Sequence, residues 1–442
     1  MRSHTFLSSC RFVRTTHIRP QILFIRMASN NAFSVLKDPS LVKHQGFIDG
    51  KWVDAKGGKT ITVRNPATNE VLGTVPEMGV EETKEAIDAA AKAFKTWSKT
   101  TSKQRHDILK KLFDLMMKHN DDLGTLIALA AGCTVVIKPP PETPFSALAI
   151  TELARQAGVP DGVINVVTTL EHVKEVAAEL CENKTVRKVT FTGSTAVAKM
   201  LYKQGASTMK KVSFEAGGNA PFIVFDDANM DEAIAGVVQG KFRGSGQTCI
   251  CANRIYVQSG IYDEFAARFA EKVAAFKVGN GLEAGTTHGP LIHERAVQKV
   301  ESHVKDAVER GANILIGGSR MDSPGFFYPP TVLSDVPADA LISKEETFGP
   351  LAALIKFKTE EEVIALANDS DVGLAGYFYS QNIKRVWHVA EALEVGMVGV
   401  NTPFLSSAYT PFGGVKESGL GREGSHFGLD EYLNIKLIAM GI

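Results

Sequence analysis

A doubly wound α/β fold followed by a second α/β unit is what this 442-residue sequence predicts, and three observations carry the prediction. From residue 134 the segments TVVIK, VINVV, KVTFT and KVSFE alternate with three helical stretches, the pattern of parallel strands joined by helical crossovers and covered on both faces. From about residue 220 the alternation resumes, with helices expected near 230–243 and 261–276 and strands such as NILIG and LAALIKF. The composition is that of a large globular chain: 44% hydrophobic, with 49 basic residues against 49 acidic ones.

In chain order, the first 37 residues carry Arg2, Arg11, Arg14, Arg19, Arg26 and Lys37, several Ser and Thr, and no acid before Asp38. That is the composition of a mitochondrial presequence, placed at 1–28; translation from Met27 would instead leave a cytoplasmic chain. HQGFIDGKWVDA reads as two short strands turned at Asp-Gly. Two amphipathic helices follow. Ile87, Ala90, Phe94 and Trp97 form the expected buried face of the first, and Ile108, Leu112, Leu115 and Met116 that of the second, which starts near a capping Ser102. Thr143-Pro144 suits a helix cap and first turn, and further helices are expected near 172–181 and from Thr195.

Balanced charge leaves no net field to hold nucleic acid or a membrane surface, and no apolar run approaches the ~18 residues of a membrane span. A small-molecule partner is the expectation. Five cysteines, at 10, 133, 181, 249 and 251, show neither disulfide-framework nor metal-site spacing, so a reducing compartment and no metal are expected.

GLGREG at 419–424 fits the dinucleotide fingerprint by spelling, but only 18 residues follow it, too few for the βαβ unit that the fingerprint opens. FTGST at 191–195, with Gly193 and Ser194, is the better phosphate site because it ends a strand and opens a helix. Cys249, in the Gly-flanked GSGQTCICAN, is the candidate nucleophile. Glu215, in FEAGGNAP directly after a strand, is the candidate general base toward water.

Together FEAGGNAP, GQTC, EETFGP at 345–350 and PFGGVKESGLGREG at 411–424 resemble the aldehyde dehydrogenase superfamily, most closely its succinate-semialdehyde dehydrogenase branch, in order and approximate spacing from about residue 40 onward. The resemblance implies a nucleotide-binding domain at 29–216, a catalytic domain at 217–412, and a return to the first domain at 413–442 that ends in an oligomerisation strand, YLNIKLI. It implies oxidation of succinate semialdehyde to succinate, a step of 4-aminobutyrate degradation, through a Cys249 thioester hydrolysed by water that Glu215 activates. Lys138 and Ser194 become adenosine-side ligands, and Glu346 and Phe348 hold the nicotinamide ribose and ring. Arg243 and Ser407 become anchors for the substrate carboxylate, and a homo-oligomer is implied. Pro141 stands three after Lys138, where many members carry a ribose-binding glutamate; without a carboxylate to repel a 2′-phosphate, NADP is accepted as well as NAD. Cys251, two residues from the nucleophile, could condense with an oxidised Cys249 as a reversible switch.

One departure is large. Near residues 126–129 the helix ending KHNDDLGTLI runs straight into ALAAGCTVVIKPP, where the family has several further elements. These include the first strand of the nucleotide-binding sheet and a Pro-Trp-Asn-Phe-Pro segment whose asparagine completes the oxyanion hole. Two alternatives follow: an impaired member that binds nucleotide or a full-length subunit, and a thiol esterase without hydride transfer.

Overall fold

The computed structural model describes Phe33, residues 36–119 and residues 129–441. The presequence expectation at 1–28 and the junction at 126–128 lie outside the described residues. The chain divides into two units, Met1–Pro39 and Ser40–Ile442. In the first, the Leu36 N–H donates to the Phe33 carbonyl at 3.0 Å. All that follows concerns the second.

β1 (Gly46–Ile48) and β2 (Lys51–Val53) form the expected hairpin, turned at Asp49 and Gly50, whose φ values of 47° and 79° suit an Asp-Gly turn. β3 (Thr60–Arg64) and β4 (Val71–Pro76) form a second hairpin, followed by α1 (Val80–Trp97) and α2 (Ser102–His119). Two details differ from expectation. The buried stripe of α1 follows Ala86, Ala90, Ala93 and Trp97, so Phe94 falls to one side of it and is 46% exposed. α2 is capped by Thr101, not Ser102: the Thr101 N–H donates to Gln104 Oε1 at 2.8 Å and the Gln104 N–H to Thr101 Oγ1 at 3.2 Å, a reciprocal box.

The strand–helix rhythm holds: β5 (Val135–Ile137), α3 (Pro144–Ala157), β6 (Ile164–Val166), α4 (Val173–Glu182), β7 (Lys188–Thr192), α5 (Thr195–Gly205) and β8 (Lys211–Glu215). Pro144 takes the first turn of α3 as expected, although the Thr143 side chain makes no capping bond.

β5 pairs in parallel with β6, and β7 with β8, but the two pairs are not joined. One sheet runs β2-β1-β6-β5 and ends at β5; another ends at β7. In a doubly wound sheet of order 3-2-1-4-5 the missing first strand lies between the second and fourth, that is, between β5 and β7, beside the switch point where ligands bind. Among the described residues no strand fills that place, which explains why these would-be central strands are only half-buried to exposed. Tyr432 sits at the start of both open edges, with the Cys133 thiol 3.9 Å from its carbonyl and the Lys188 ammonium 4.9 Å from its ring centre.

The second α/β unit comprises β9 (Ala220–Val224), α6 (Met230–Phe242), β10 (Ala252–Gln258), α7 (Tyr262–Ala274), α8 (Glu294–Glu309), β11 (Asn313–Ile316), β12 (Thr331–Ser334), α9 (Leu341–Lys344), β13 (Leu351–Phe357), α10 (Glu360–Asn368), β14 (Val372–Gly373), β15 (Ala375–Tyr379), α11 (Ile383–Ala392) and β16 (Met397–Val400). Its seven-stranded sheet, ordered β11-β12-β13-β10-β9-β15-β16, is parallel apart from β11. Successive side chains enter opposite layers, Phe222 and Val224 on one face and Ile223 and Phe225 on the other, as expected of a sheet covered on both faces.

The chain then returns to the first sheet region. β17 (Val415–Lys416) pairs with β14, β18 (Gly419–Leu420) pairs antiparallel with β8, and α12 (Ser425–Asp430) follows. GLGREG is therefore an edge strand and turn. The expected strand at YLNIKLI is not formed in the single chain, and Ile435, Leu437, Ile438 and Met440 are exposed. A strand needs a paired backbone neighbour, and among the described residues no strand pairs with that segment.

Candidate active site

Four sequence motifs meet around two glycines. β8 ends at Glu215 and passes through Gly217 and Gly218 into β9. A Cβ on Gly218 would lie 2.5 Å from the Cys249 carbonyl oxygen, so the FEAGGNAP turn rests directly on the Cys249 loop. The Gly218 N–H donates to Glu346 Oε1 at 2.9 Å, which fixes the EETFGP carboxylate beside the same turn. Gly246, at φ 73°, lies against the Gly349 carbonyl, where a Cβ would approach to 2.1 Å.

The C-terminal motif braces this centre. Buried Ser418 donates to the Gly217 carbonyl at 2.7 Å and accepts from the Gly373 N–H at 2.9 Å. The Cys249 loop is held from several sides. Tyr377 donates its hydroxyl to the Ile250 carbonyl at 2.9 Å, and Gln247 bridges the Pro290 carbonyl at 3.3 Å and the Ile292 N–H at 2.9 Å. A thiol so fixed loses little freedom when it meets a substrate carbon.

Burial dominates the electrostatics. Glu215, with Oε1 unpartnered, is pushed up to about 8, first by burial and then by the nearby Glu423 charge, with Arg422 opposing. Burial raises Glu346 to about 7 against the Gly218 N–H. Burial, then Glu215, Glu346 and Cys251, push the Cys249 thiol up to about 12. The three groups share a region that tolerates little negative charge. A buried thiol beside a carboxyl that titrates near 8 suits addition to an uncharged carbonyl followed by attack of water.

The other expected site residues are placed unevenly. The Gly193 N–H donates to the Glu215 carbonyl at 3.0 Å and the Gly217 N–H to Thr195 Oγ1 at 3.1 Å, so the FTGST turn is tied to the centre; Ser194 stands at the N-cap position of α5, its side chain making no capping bond. Phe348 presents a 41% exposed ring beside Lys299 and His293. Lys138 follows β5 and faces Glu142 and Glu77; burial lowers its pKa. No strand pairing links it to the Ser194 turn. Arg243 borders a small depression with Thr248, Tyr377 and Phe404; Ser407 is outside it, its hydroxyl accepting from the Tyr409 N–H at 3.3 Å. Cys249 and buried Cys251 are both free thiols. Among the described residues no group of His, Cys, Asp and Glu is placed to hold a metal ion.

Ser418, Glu423 and Lys241 escape sequence reasoning. The bond between Ser418 and Gly217 spans 201 residues, and nothing local in either segment announces it.

Comparison with known proteins bears on the same residues. The aldehyde dehydrogenase family profile matches residues 52–129 and 124–438, breaking in two at the junction noted above. A glutarate-semialdehyde dehydrogenase of Pseudomonas putida is 46% identical, covering 92% of this chain and 100% of its own. Succinate-semialdehyde dehydrogenase [NADP(+)] GabD of Escherichia coli is also 46% identical, with the same coverage. Mitochondrial succinate-semialdehyde dehydrogenase of Arabidopsis thaliana is 43% identical over 98% of this chain and 97% of its own. The first alignment runs over 482 positions but takes up 92% of 442 residues, about 407, so about 75 positions of the relative face no residue here. Among solved structures, an E. coli NADP-dependent enzyme superposes with a TM-score of 0.90 at 45% identity, covering 92% of this chain and 100% of its own. A Staphylococcus aureus betaine aldehyde dehydrogenase in complex with NAD+ superposes with a TM-score of 0.84 at 30% identity, covering 88% and 93%.

Proposed function

The chain belongs to the aldehyde dehydrogenase family, and from that premise we propose that it oxidises succinate semialdehyde to succinate with NADP or NAD, with Cys249 as nucleophile and Glu215 as base. The observation that carries this is the meeting of Glu215, Cys249 and Glu346 around the backbone of Gly217 and Gly218.

The residues present fit a dinucleotide. Glu346 lies so close to Gly217 that a Cβ there would meet its Oε2 at 3.0 Å, and the Gly218 N–H anchors its other oxygen, which holds the carboxylate in place for ribose hydroxyls. The amide-lined start of α5 at Ser194 suits a diphosphate. Phe348 offers an exposed ring. When bound, the dinucleotide supplies one thing, acceptance of the hydride that leaves the aldehyde carbon.

The Cys249 sulfur adds to that carbon, its proton passing to solvent water, and after hydride loss the acyl group remains on sulfur as a thioester. Glu215 takes a proton from water, whose oxygen forms the new carbon–oxygen bond as the carbon–sulfur bond breaks. Succinate and the free thiol result. Arg243, which borders the depression lined by Thr248 and Ile250 of the Cys249 loop, holds the far carboxylate. Arg243→Ala is therefore expected to raise KM for succinate semialdehyde at least tenfold more than for an uncharged aldehyde of similar length, an effect of about 1.4 kcal/mol. Steady-state kinetics on both aldehydes check this, and an equal effect on the two would remove Arg243 from the substrate site.

The raised Glu215 carboxyl sets a pH dependence. It is protonated below about 8 and becomes a base only as pH rises, so thioester hydrolysis is expected to climb through pH 7 and level off above about 8. Glu215→Gln is expected to flatten that limb. Single-turnover hydrolysis of the acylated enzyme measures it, and an unchanged limb in Glu215→Gln would assign the base elsewhere.

The overall reaction is tested by following NADPH formation with succinate semialdehyde. Ester hydrolysis without any NADPH would favour the esterase instead. Import into mitochondria, in line with the mitochondrial relatives, and assembly into a homo-oligomer through the exposed tail belong to the same proposal.

A further inference from the structure

His303 lies near the middle of α8 and is 1% exposed. One face of that helix holds the chain from Leu341 to Gly349. Asp306 Oδ2 accepts from the Leu341 N–H at 2.7 Å, and Val300 is so close to Gly349 that a Cβ there would meet its Cγ2 at 2.4 Å. Between these two contacts His303 Nδ1 stands 2.8 Å from Oγ1 of the equally buried Thr347. Its other nitrogen, Nε2, is 3.6 Å from Glu345 Oε2, which also pairs with Lys299 at 3.2 Å.

The surroundings set the direction of the bond to Thr347. Burial lowers the His303 pKa, with Lys299 acting the same way and Glu345 and Asp306 opposing, so the imidazole is neutral at pH 7 and carries a single ring proton. A carboxylate only accepts. The proton therefore belongs on Nε2, toward Glu345, and Nδ1 accepts from the Thr347 hydroxyl. Thr347 stands between Glu346, whose carboxylate the Gly218 N–H holds, and Phe348, whose ring is exposed beside Lys299.

We propose that His303 is a positioning residue for the dinucleotide: through its bond to Thr347 it sets the path of residues 346–348, and with it the placement of the Glu346 carboxylate and the Phe348 ring. The role rests on the reading that Glu346 and Phe348 hold the nicotinamide ribose and ring. A histidine that only filled the core would support stability and leave affinity alone.

The test is NADPH affinity, read by its fluorescence at a temperature where melting curves show every variant folded, together with KM for NADP and for succinate semialdehyde. His303→Leu and Thr347→Val each remove one end of the bond. Each is expected to weaken NADPH binding about tenfold, the scale of one buried hydrogen bond, with KM for the aldehyde within about threefold of wild type. The double variant is expected to lose no more than about threefold beyond either single, because both act through one bond. His303→Asn returns an acceptor near the Nδ1 position and is expected to recover most of the loss. Wild-type affinity in Thr347→Val or in His303→Leu would overturn the proposal, as would a loss of about a hundredfold in the double variant. Thr347→Val, the near-isosteric change, decides alone should His303→Leu fail to fold. Failure of the underlying reading looks different: Glu346→Ala would then bind NADPH as tightly as wild type, and the proposal would fall with it.

Discussion

Cys249→Ala is expected to abolish NAD(P)-linked aldehyde oxidation, with a loss of at least ~10⁴-fold, the scale on which removal of a covalent nucleophile acts. Among the described residues no other cysteine is placed to substitute. Cys181 is buried and Cys133 half-buried beside Tyr432, with burial raising both thiols. Cys251 is buried at 3% exposure behind the loop. Cys249 alone lies against the Gly218 turn that also orders Glu346. Binding of the dinucleotide, followed by NADPH fluorescence, is expected to survive the substitution, because Glu346, Phe348 and the Ser194 turn are untouched. Residual turnover above a hundredth of wild type would mean that another group attacks the aldehyde.

Restoring the family segment at the junction near residues 126–129 is expected to raise NAD(P)-linked activity at least ~100-fold over the chain as it stands. The loss of one oxyanion donor costs about 10² to 10³ in rate, and the family resemblance assigns that donor to the segment. The sheet tells the same story independently. β5 and β7 each end a sheet with an open edge, at the place where a first strand would join them beside the switch point. Lys138 and Ser194, the two ends of the expected adenosine site, belong to the two separate pieces. The open edges and the exposed apolar tail at 435–440 further predict low solubility, relieved when the strand is restored. NADPH formation by the two chains under identical conditions, with sedimentation of each, checks both effects. Comparable turnover would show that another group stabilises the oxyanion and that the gap is harmless.

Most of this fold is legible in the sequence because its signals are local. The alternation of β-branched runs with helical stretches predicts β5 to β8 in order, and Asp49-Gly50 predicts the first hairpin. Periodicity was less reliable at the margins. A stripe centred on Ala86, Ala90 and Ala93 leaves Phe94 beside it, a displacement that only packing against the neighbouring layer decides. The absence of Pro-Trp-Asn-Phe-Pro reveals that something is missing, but which strand, and what its loss does, emerges only from the pairings of β5 and β7.

The site divides in the same way. Cys249, Glu215 and Glu346 stand in motifs that can be read along the chain. Ser418 and Glu423 act on Glu215 and Gly217 only because β18 returns to pair with β8. Lys241 is spelled like any lysine at the end of a helix, where a cation is unremarkable. Its complete burial cannot be read from its neighbours in sequence, and neither can its bond to Asn253.

The central claim is that Cys249 carries the acyl group and Glu215 removes it. Mass spectrometry of Glu215→Gln after exposure to succinate semialdehyde and NADP tests both halves at once. The expected result is a succinyl thioester on the Cys249 peptide that forms only when NADP is present and persists in the variant while it turns over in wild type. A Cys249 that stays unmodified in the variant, or an acyl group on a different cysteine, would contradict the account.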